Sequence, residues 1–578
     1  MDSTNARTPV SLLVFAATAL ISAAEYMAWA ALGEPNELAP VALTTLGIAL
    51  AAGAVTAFAA RASRFGGLVL GLTIAWTPFA SVGIAHALAF AAAFVVTAGL
   101  LWRFRPAVVG GITTLVWLGV GANACAQRPS NGSATSSDSP DIVLLVMDTT
   151  RSDHLSVYGY DKPTSPNLER FAEHARVYDD AWSVAPWTSP SHASMFTGLL
   201  PAEHGVDGAL GISFPGAVPT LPEVLARAGY RTAGFPGNAN LFAPGWERGF
   251  DVYLPAEYQK THSLIRGLND VARRWRDPAA HALGEQLLAR ARRWWDANDG
   301  APRFLFVNLI EPHSPYIPSD ELYDKFLGGI PREEAFAVQA RMRPDGSASP
   351  AWTPRETDTL ARLYDAEIAG MDGRIGEFVE WLDARGDLED TLFVITSDHG
   401  ERLGERGLIG HSLVMDPYLL RVPLLMSYPA ELEPTRIPDR VQLDGLAGSI
   451  LELAEIDAPD SMGTLAPSEV AVAQYRPPST IVDDMGAIDA NFDDKKYRRD
   501  WSFVASAPFA LEWSRGSGPI LTNLETDPNF TRNLATDHAE LTRALLEIAR
   551  ALPRFDEAES RDVDPELMRH LKSLGYVR

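Results

Sequence analysis

The chain has 578 residues, too many for one hydrophobic core, so two or more domains are expected. Its formal charge of -24, from 49 basic and 73 acidic residues, argues against nucleic-acid binding, which needs a basic face. The single cysteine, Cys125, excludes an intramolecular disulfide and says little about redox compartment.

Residues 1–125 hold few ionisable groups. Five stretches in them, at 9–32, 39–60, 65–82, 83–102 and 106–125, are apolar over lengths that reach or approach a bilayer crossing. They predict an N-terminal bundle of about five transmembrane helices. Arg7, Arg61, Arg64, Arg103 and Arg105 flank alternate ends, and the loop after the first stretch carries Glu34 and Glu37 without a base. The positive-inside rule then predicts a cytoplasmic N-terminus and, after an odd number of crossings, an extracytoplasmic or periplasmic remainder of a multi-pass inner-membrane protein. Residues 126–140, rich in Ser, Gly and Pro, predict a flexible linker.

From Asp141 short apolar runs alternate with helical patterns, which predicts an α/β fold with a mostly parallel sheet. Strands are expected at 141–147, 231–235, 303–310, 391–397 and 421–428, and helices at 220–229 and 355–385. In the longer helix Leu360, Leu363, Tyr364, Ile368, Met371, Ile375, Phe378, Val379 and Leu382 recur at helical spacing, a core-facing stripe. Residues 256–300, with Arg-Arg-Trp segments, predict surface helices anchored by aromatics. Residues 335–356 and 475–500 predict loops.

Chemistry-bearing residues stand at the ends of the apolar runs. Asp148 closes 141–147, His313 follows 303–310, and Asp398-His399-Gly400 follows 391–397. Strand C-termini are where α/β sheets place active sites, and carboxylates and imidazoles ligate divalent metals. Thr188 lies just ahead of an expected helix at 191–198. On these residues alone it is read as a helix cap. The alternative is a nucleophile beside helix amides that favour an anion.

Five segments in order then resemble the sulfatase-like branch of the alkaline phosphatase superfamily, from about Asp141 to the C-terminus. They are Asp148-Thr149-Thr150-Arg151-Ser152-Asp153-His154, Thr188-Ser189-Pro190-Ser191-His192, Glu311-Pro312-His313, Asp398-His399-Gly400, and a tail of Leu521–Pro528, Asn533-Leu534-Ala535 and Leu571–Val577. The resemblance implies a catalytic domain over 141–470 and a small C-terminal α+β subdomain over 471–578. It implies Asp148, Thr188, Asp398 and His399 as metal ligands, and Thr188, His313 and His411 as catalytic residues. Asp153, His154 and His204 fall in similar segments without a transferable role.

Sulfatases oxidise a Cys or Ser, in a Cys/Ser-x-Pro-x-Arg motif, to formylglycine. Thr188 cannot give that aldehyde and His192 replaces the arginine, so no formylglycine is expected. A threonine here resembles the phosphoryl-transfer relatives: nucleotide pyrophosphatase/phosphodiesterases, phosphoethanolamine transferases and lipoteichoic-acid synthase. His411, twelve residues after His399, resembles the phosphoethanolamine transferases, in which it and the counterpart of His313 hold a second metal or the substrate phosphate. Sulfatases usually have two adjacent aspartates where this chain has Asp148-Thr149, and the transferases have Glu at the Asp148 position. The leading expectation is therefore a membrane-anchored, metal-dependent hydrolase or transferase. It acts on phosphate or phosphonate esters, including lipid head groups or envelope glycans, through a phosphothreonine. Zn or Mn is the expected metal, ahead of Ca or Mg. The alternatives are a sulfuric ester hydrolase and a non-catalytic envelope protein with a sulfatase-like binding domain.

Overall fold

The computed structural model describes residues 139–209, 211–216, 218–255, 282–342, 352–488 and 492–555. The apolar runs become β1 (Asp141–Met147), β2 (Arg176–Trp182), β3 (Arg231–Pro236), β4 (Val252–Tyr253), β5 (Arg303–Leu309) and β6 (Thr391–Thr396). A short ribbon of β7 (Arg402–Leu403) and β8 (Ile409–Gly410) follows, then β9 (Arg421–Val422), β10 (Leu424–Ser427) and β11 (Thr435–Gln442). Apart from the ribbon these strands form one nine-stranded sheet, ordered β11-β2-β10-β6-β1-β5-β3-β4 with β9 on β2.

The centre is parallel. Ile142 in β1 sits opposite Phe304 of β5 on one side and Leu392 of β6 on the other. Both faces of these strands are covered, which is why they read as continuous apolar runs rather than alternating ones. β10 pairs antiparallel with β6 and β2.

The strand β2 is not apparent in the sequence, because Asp179 and Asp180 interrupt its apolar pattern. Those carboxylates are paired instead: Asp179 with Arg436, at 2.5 Å, and Asp180 with Arg421 and Arg440, at 2.7 and 2.8 Å.

Three helices position the site. α1 (Thr188–Thr197) is buried along its whole length on one face of the sheet. α2 (Ala282–Asp296) and α3 (Pro354–Arg385) lie in the other core layer. α3 begins at a capping box, where Thr353 Oγ1 accepts from Glu356 N, and ends at the left-handed Gly386. Its apolar stripe packs against Leu145, Val307, Phe393 and their neighbours.

A second, antiparallel sheet comprises β12 (Ala471–Tyr475), β13 (Trp501–Ser506), β14 (Phe509–Ser514) and β15 (Ile520–Asn523). The amphipathic α4 (Ala539–Ala551) sets Leu545 and Ala549 against Val504, Leu511 and Leu521 of that sheet.

Several expectations are corrected. Trp294 and Trp295 of α2 are buried in the core rather than anchoring a surface helix. Residues 332–339 and 479–488 are helical where loops were expected. The membrane-anchored reading is also corrected. Among the described residues no helix is long and apolar enough to cross a membrane. Even α3, 32 residues long, interleaves its apolar positions with charges such as Arg355, Glu356, Asp358, Arg362 and Glu377, so it has one apolar face rather than an apolar circumference. The five expected spans, the linker as far as residue 138, and the tail segment Leu571–Val577 lie outside the described residues. Among the described residues the fold is the α/β domain with no N-terminal helix bundle, and neither a multi-pass location nor a membrane or lipid partner enters the functional reading.

Candidate active site

Four parallel neighbours, β6, β1, β5 and β3, end on the same edge of the sheet. Each delivers polar residues there: Asp398 and His399 after β6, Asp148 after β1, His313 after β5 and Asn238 after β3. Such an edge is where a doubly wound sheet opens its ligand crevice.

Asp148, Asp398 and His399 are fully buried, and one ligand atom from each lies within 4.8 Å of the others. One oxygen of each carboxylate is tied down. Asp148 Oδ2 accepts from Asn238 Nδ2 at 2.9 Å and Asn308 Nδ2 at 3.1 Å. Asp398 Oδ1 accepts from the backbone N–H of Thr149 at 3.0 Å and of His399 at 2.9 Å.

The other oxygens, Asp148 Oδ1 and Asp398 Oδ2, are buried with no hydrogen-bond partner, although His399 Nε2 lies 3.5 Å from Asp398 Oδ2. Such groups are costly and need a reason. Burial, reinforced by the charge of Asp398, pushes Asp148 up to about 7, and burial pushes Asp398 up to about 7.

His399 Nδ1 lies 2.9 Å from the Gly400 carbonyl, which can only accept, so Nδ1 carries the proton and Nε2 the lone pair. Burial, with His411 beside it, lowers His399 to about 4 and keeps the ring neutral. Two orphaned carboxylate oxygens and a lone-pair nitrogen around one point fit a divalent cation, and these three residues can hold one.

Thr188 is delivered by α1. The N-cap is Trp187, in extended conformation, and Thr188 is the first helical residue. The expectation that it precedes the helix, and the cap reading with it, is therefore corrected: no side chain caps this helix. Thr188 Oγ1 accepts from Asn238 Nδ2 at 3.2 Å and lies 3.4 Å from His399 Nε2. The helix closes at Gly198, with φ +72°, where a Cβ would meet the Ser461 carbonyl oxygen at 2.3 Å. His192 Nδ1 donates to Thr188 O at 2.9 Å, and burial lowers it to about 3. It is a neutral brace for the first turn.

His313 and His411 complete the cluster. His313 Nδ1 donates to Ser314 O at 2.6 Å. The His411 ring centroid is 5.2 Å from that of His313, 4.6 Å from His399 and 4.9 Å from Trp187. Burial lowers His313, and lowers His411 to about 3.

Asp148, Thr188, His313, Asp398, His399 and His411 are thus gathered in one place. Asp153, His154 and His204 are engaged elsewhere: with Arg151 at 2.7 Å, with Asp365 at 2.8 Å and with Ser194 Oγ at 3.0 Å, respectively.

Sequence reasoning missed Asn238, Asn308 and Glu401. Asn238 follows a recognisable strand, so the strand-end rule that found Asp148 also reaches it. Asn308 lies inside a strand and gives no such signal.

Residues 140–456, more than half of the chain, match the sulfatase family. The chain belongs to that family. It is 27 % identical over 355 residues to a choline-sulfatase of Rhizobium meliloti (strain 1021), covering 54 % of this chain and 68 % of that one. It is 24 % identical over 338 residues to an ulvan-active sulfatase of Formosa agariphila, covering 56 % of this chain and 63 %, just under two thirds, of the relative. Among solved structures, the phosphonate monoester hydrolase of Agrobacterium radiobacter superposes with a TM-score of 0.59 at 19 % identity, over 71 % of this chain and 94 % of that one. That likeness establishes a shared fold. This sulfatase-family chain is an enzyme of a hydrolase superfamily, with a buried triad that can take a metal, which sets aside the non-catalytic reading.

Proposed function

We propose that this sulfatase-family chain is a metal-dependent ester hydrolase in which the Thr188 hydroxyl itself attacks a sulfuric ester. The observation that carries the mechanism is the position of Thr188 Oγ1, held by Asn238 Nδ2 and next to His399 Nε2 beside two orphaned carboxylate oxygens. The substrate class rests on the family match and on the choline- and ulvan-active sulfatase relatives, which favour a sulfuric ester over the phosphorus ester expected first from sequence.

One observation favours a phosphate or phosphonate ester as the second reading. Residue 188 is a threonine, and oxidising its secondary alcohol gives a ketone rather than an aldehyde. The nucleophile is then a simple alkoxide, the kind phosphoryl transfer uses.

Asp148, Asp398, His399 and Thr188 would hold the divalent cation. When bound, it supplies charge against the ester oxygens and lowers the pKa of the nucleophile. Asn238 Nδ2, shared between Asp148 and Thr188, sets the direction of the hydroxyl. Held neutral by burial, His313 and His411 are the bases of the site, His313 for the proton of the attacking Thr188 hydroxyl and His411 for the water that follows. The buried surroundings keep water away from these dipoles and strengthen them.

The test uses the full chain loaded with Zn or Mn and matched aryl sulfate, aryl phosphodiester and phosphonate monoester substrates, with Thr188→Ala as control. Thr188-dependent turnover of the sulfate supports the leading reading. Turnover of the phosphorus esters alone moves the assignment to the second. Full activity in Thr188→Ala overturns both.

A further inference from the structure

Beyond the residues that carry the proposed reaction, a carboxylate with no role so far is built into the same edge. Glu401 is fully buried two residues after His399. Its Oε1 lies 3.3 Å from His411 Nδ1, and its Oε2 is buried with no partner.

The pairing follows from the ribbon. β7 and β8 are antiparallel, with Leu403 opposite Ile409 and Arg402 opposite Gly410, so the next rung sets Glu401 opposite His411. The ribbon is clamped in that register. Arg402 donates from Nη2 to Ser412 O at 2.7 Å and from Nε to Gly410 O at 3.3 Å. It turns at Gly404, with φ +131°, where a Cβ would strike Thr357 Cγ2 at 2.4 Å. The turn and the buried arginine thus hold one carboxylate against one imidazole.

In its ionised form Glu401 can only accept, so it fixes the proton of neutral His411 on Nδ1 and leaves the lone pair on Nε2. It also faces any imidazolium that forms there, as in other carboxylate–histidine pairs. The His411 ring stands 4.6 Å, centroid to centroid, from His399, whose Nε2 is 3.4 Å from Thr188 Oγ1. The base therefore sits beside the place where an ester on Thr188 must be hydrolysed.

We infer that Glu401 is a positioning residue: it holds His411 as the base for hydrolysis of the ester formed on Thr188. This rests on the covalent reading above. Water oxygen attacks the sulfur or phosphorus and passes one proton to His411 Nε2. The bond from that atom to Thr188 Oγ1 breaks, His411 returns the proton to the threonine oxygen, and sulfate or the phosphorus acid leaves. An activated aryl leaving group needs no proton in the first half, so with aryl esters only the second half feels Glu401.

The test is rapid-quench kinetics with mass spectrometry of the Thr188 peptide, using the metal-loaded full chain and the aryl ester it turns over. Glu401→Ala is expected to give a burst of aryl alcohol, followed by turnover slowed tenfold or more, with the ester accumulating on Thr188. His411→Ala should do the same, and the double variant no worse. Glu401→Gln, which keeps an acceptor oxygen at the same reach, should restore most of the turnover. A merely structural loss lowers burst and turnover together and does not trap the ester. If Glu401→Ala does not fold, Glu401→Leu fills the volume without a comparable acceptor and takes its place. Thr188-dependent turnover with no trapped ester in the acceptor-free variant overturns this inference alone. Wild-type turnover that does not depend on Thr188 overturns the proposed function, and this inference with it.

Discussion

At the ends of β1 and β6 the protein buries charge twice and treats it in opposite ways. Arg151 is only 3 % exposed, yet every part of its guanidinium is used. Nε and Nη2 bond to Asp153 at 2.8 and 2.7 Å, and Nη1 bonds to Glu405 at 2.6 Å and to the Glu401 carbonyl at 3.1 Å. The group also lies over the Tyr418 ring at 4.6 Å. Three residues earlier Asp148 leaves Oδ1 without a hydrogen bond, and across the sheet edge Asp398 leaves Oδ2 without one. Burial is common to both regions, and only satisfaction differs. A satisfied buried charge stabilises a loop, whereas an unsatisfied one is kept at a cost because something else is meant to meet it.

The sharpest way to break the comparison is at Thr188. Thr188→Ala should lower kcat/KM by roughly 10³-fold or more, about 4 kcal/mol of transition-state stabilisation, as steady-state kinetics will show. The melting temperature should move by only a few degrees, because a small polar group that makes no cap is lost. Near-normal activity would remove Thr188 from the chemistry.

The satisfied region should behave in the reverse sense. Arg151→Met leaves Glu405 without its partner and should cost about 3–5 kcal/mol in denaturant unfolding. Activity should fall only as far as the folded fraction does. A selective loss of kcat in fully folded protein would make Arg151 part of the site.

A third test uses pH. The Asp398 carboxyl is raised by burial from its ordinary value of 3.8 to about 7. Between those values the folded state binds the proton more tightly than the unfolded state, so this group's contribution to stability falls as pH rises from about 4 to about 7 and is level above. In chelator-treated protein, Asp398→Asn should therefore gain stability relative to wild type across that window, by a few kcal/mol at most. Thermal melts at matched pH measure it, and divalent metal should reverse the order. A difference independent of pH would show that the carboxylate is not strained.

The smallest effect is expected at Asp153, whose side chain is 56 % exposed although it bonds to Arg151. Asp153→Asn should stay within about 1 kcal/mol of wild type in the same unfolding assay. A larger loss would mean the Arg151 cluster depends on that charge and is less self-sufficient than its bonding implies.

Much of this was legible before the structure, and particular residues show why. β1, β5 and β6 stand out because strands covered on both faces are built mostly of apolar residues. α3 stands out because a 32-residue helix repeats its apolar spacing many times. Asp148, His313, Asp398 and His399 stand out because each ends such a strand. β2 was lost to Asp179 and Asp180, which are tolerable only because arginines from β9 and β11 reach them. Glu401 was passed over as one more acidic residue in an acidic chain.

What the sequence determined by itself is the chemistry available at the ends of buried strands, since local apolar pattern is enough to build those strands. It also determined that residue 188 is a hydroxyl that cannot become an aldehyde. The tertiary structure alone decided that Asn238 bridges Asp148 and Thr188, that two buried carboxylate oxygens are left without a hydrogen bond, and that a two-rung ribbon presses Glu401 against His411. Apart from the Glu401–His411 contact, which spans ten residues, those contacts join segments 50 or more residues apart. Which donor meets which acceptor there depends on sheet order and register, and these are set by packing of the whole core rather than by any local stretch of chain.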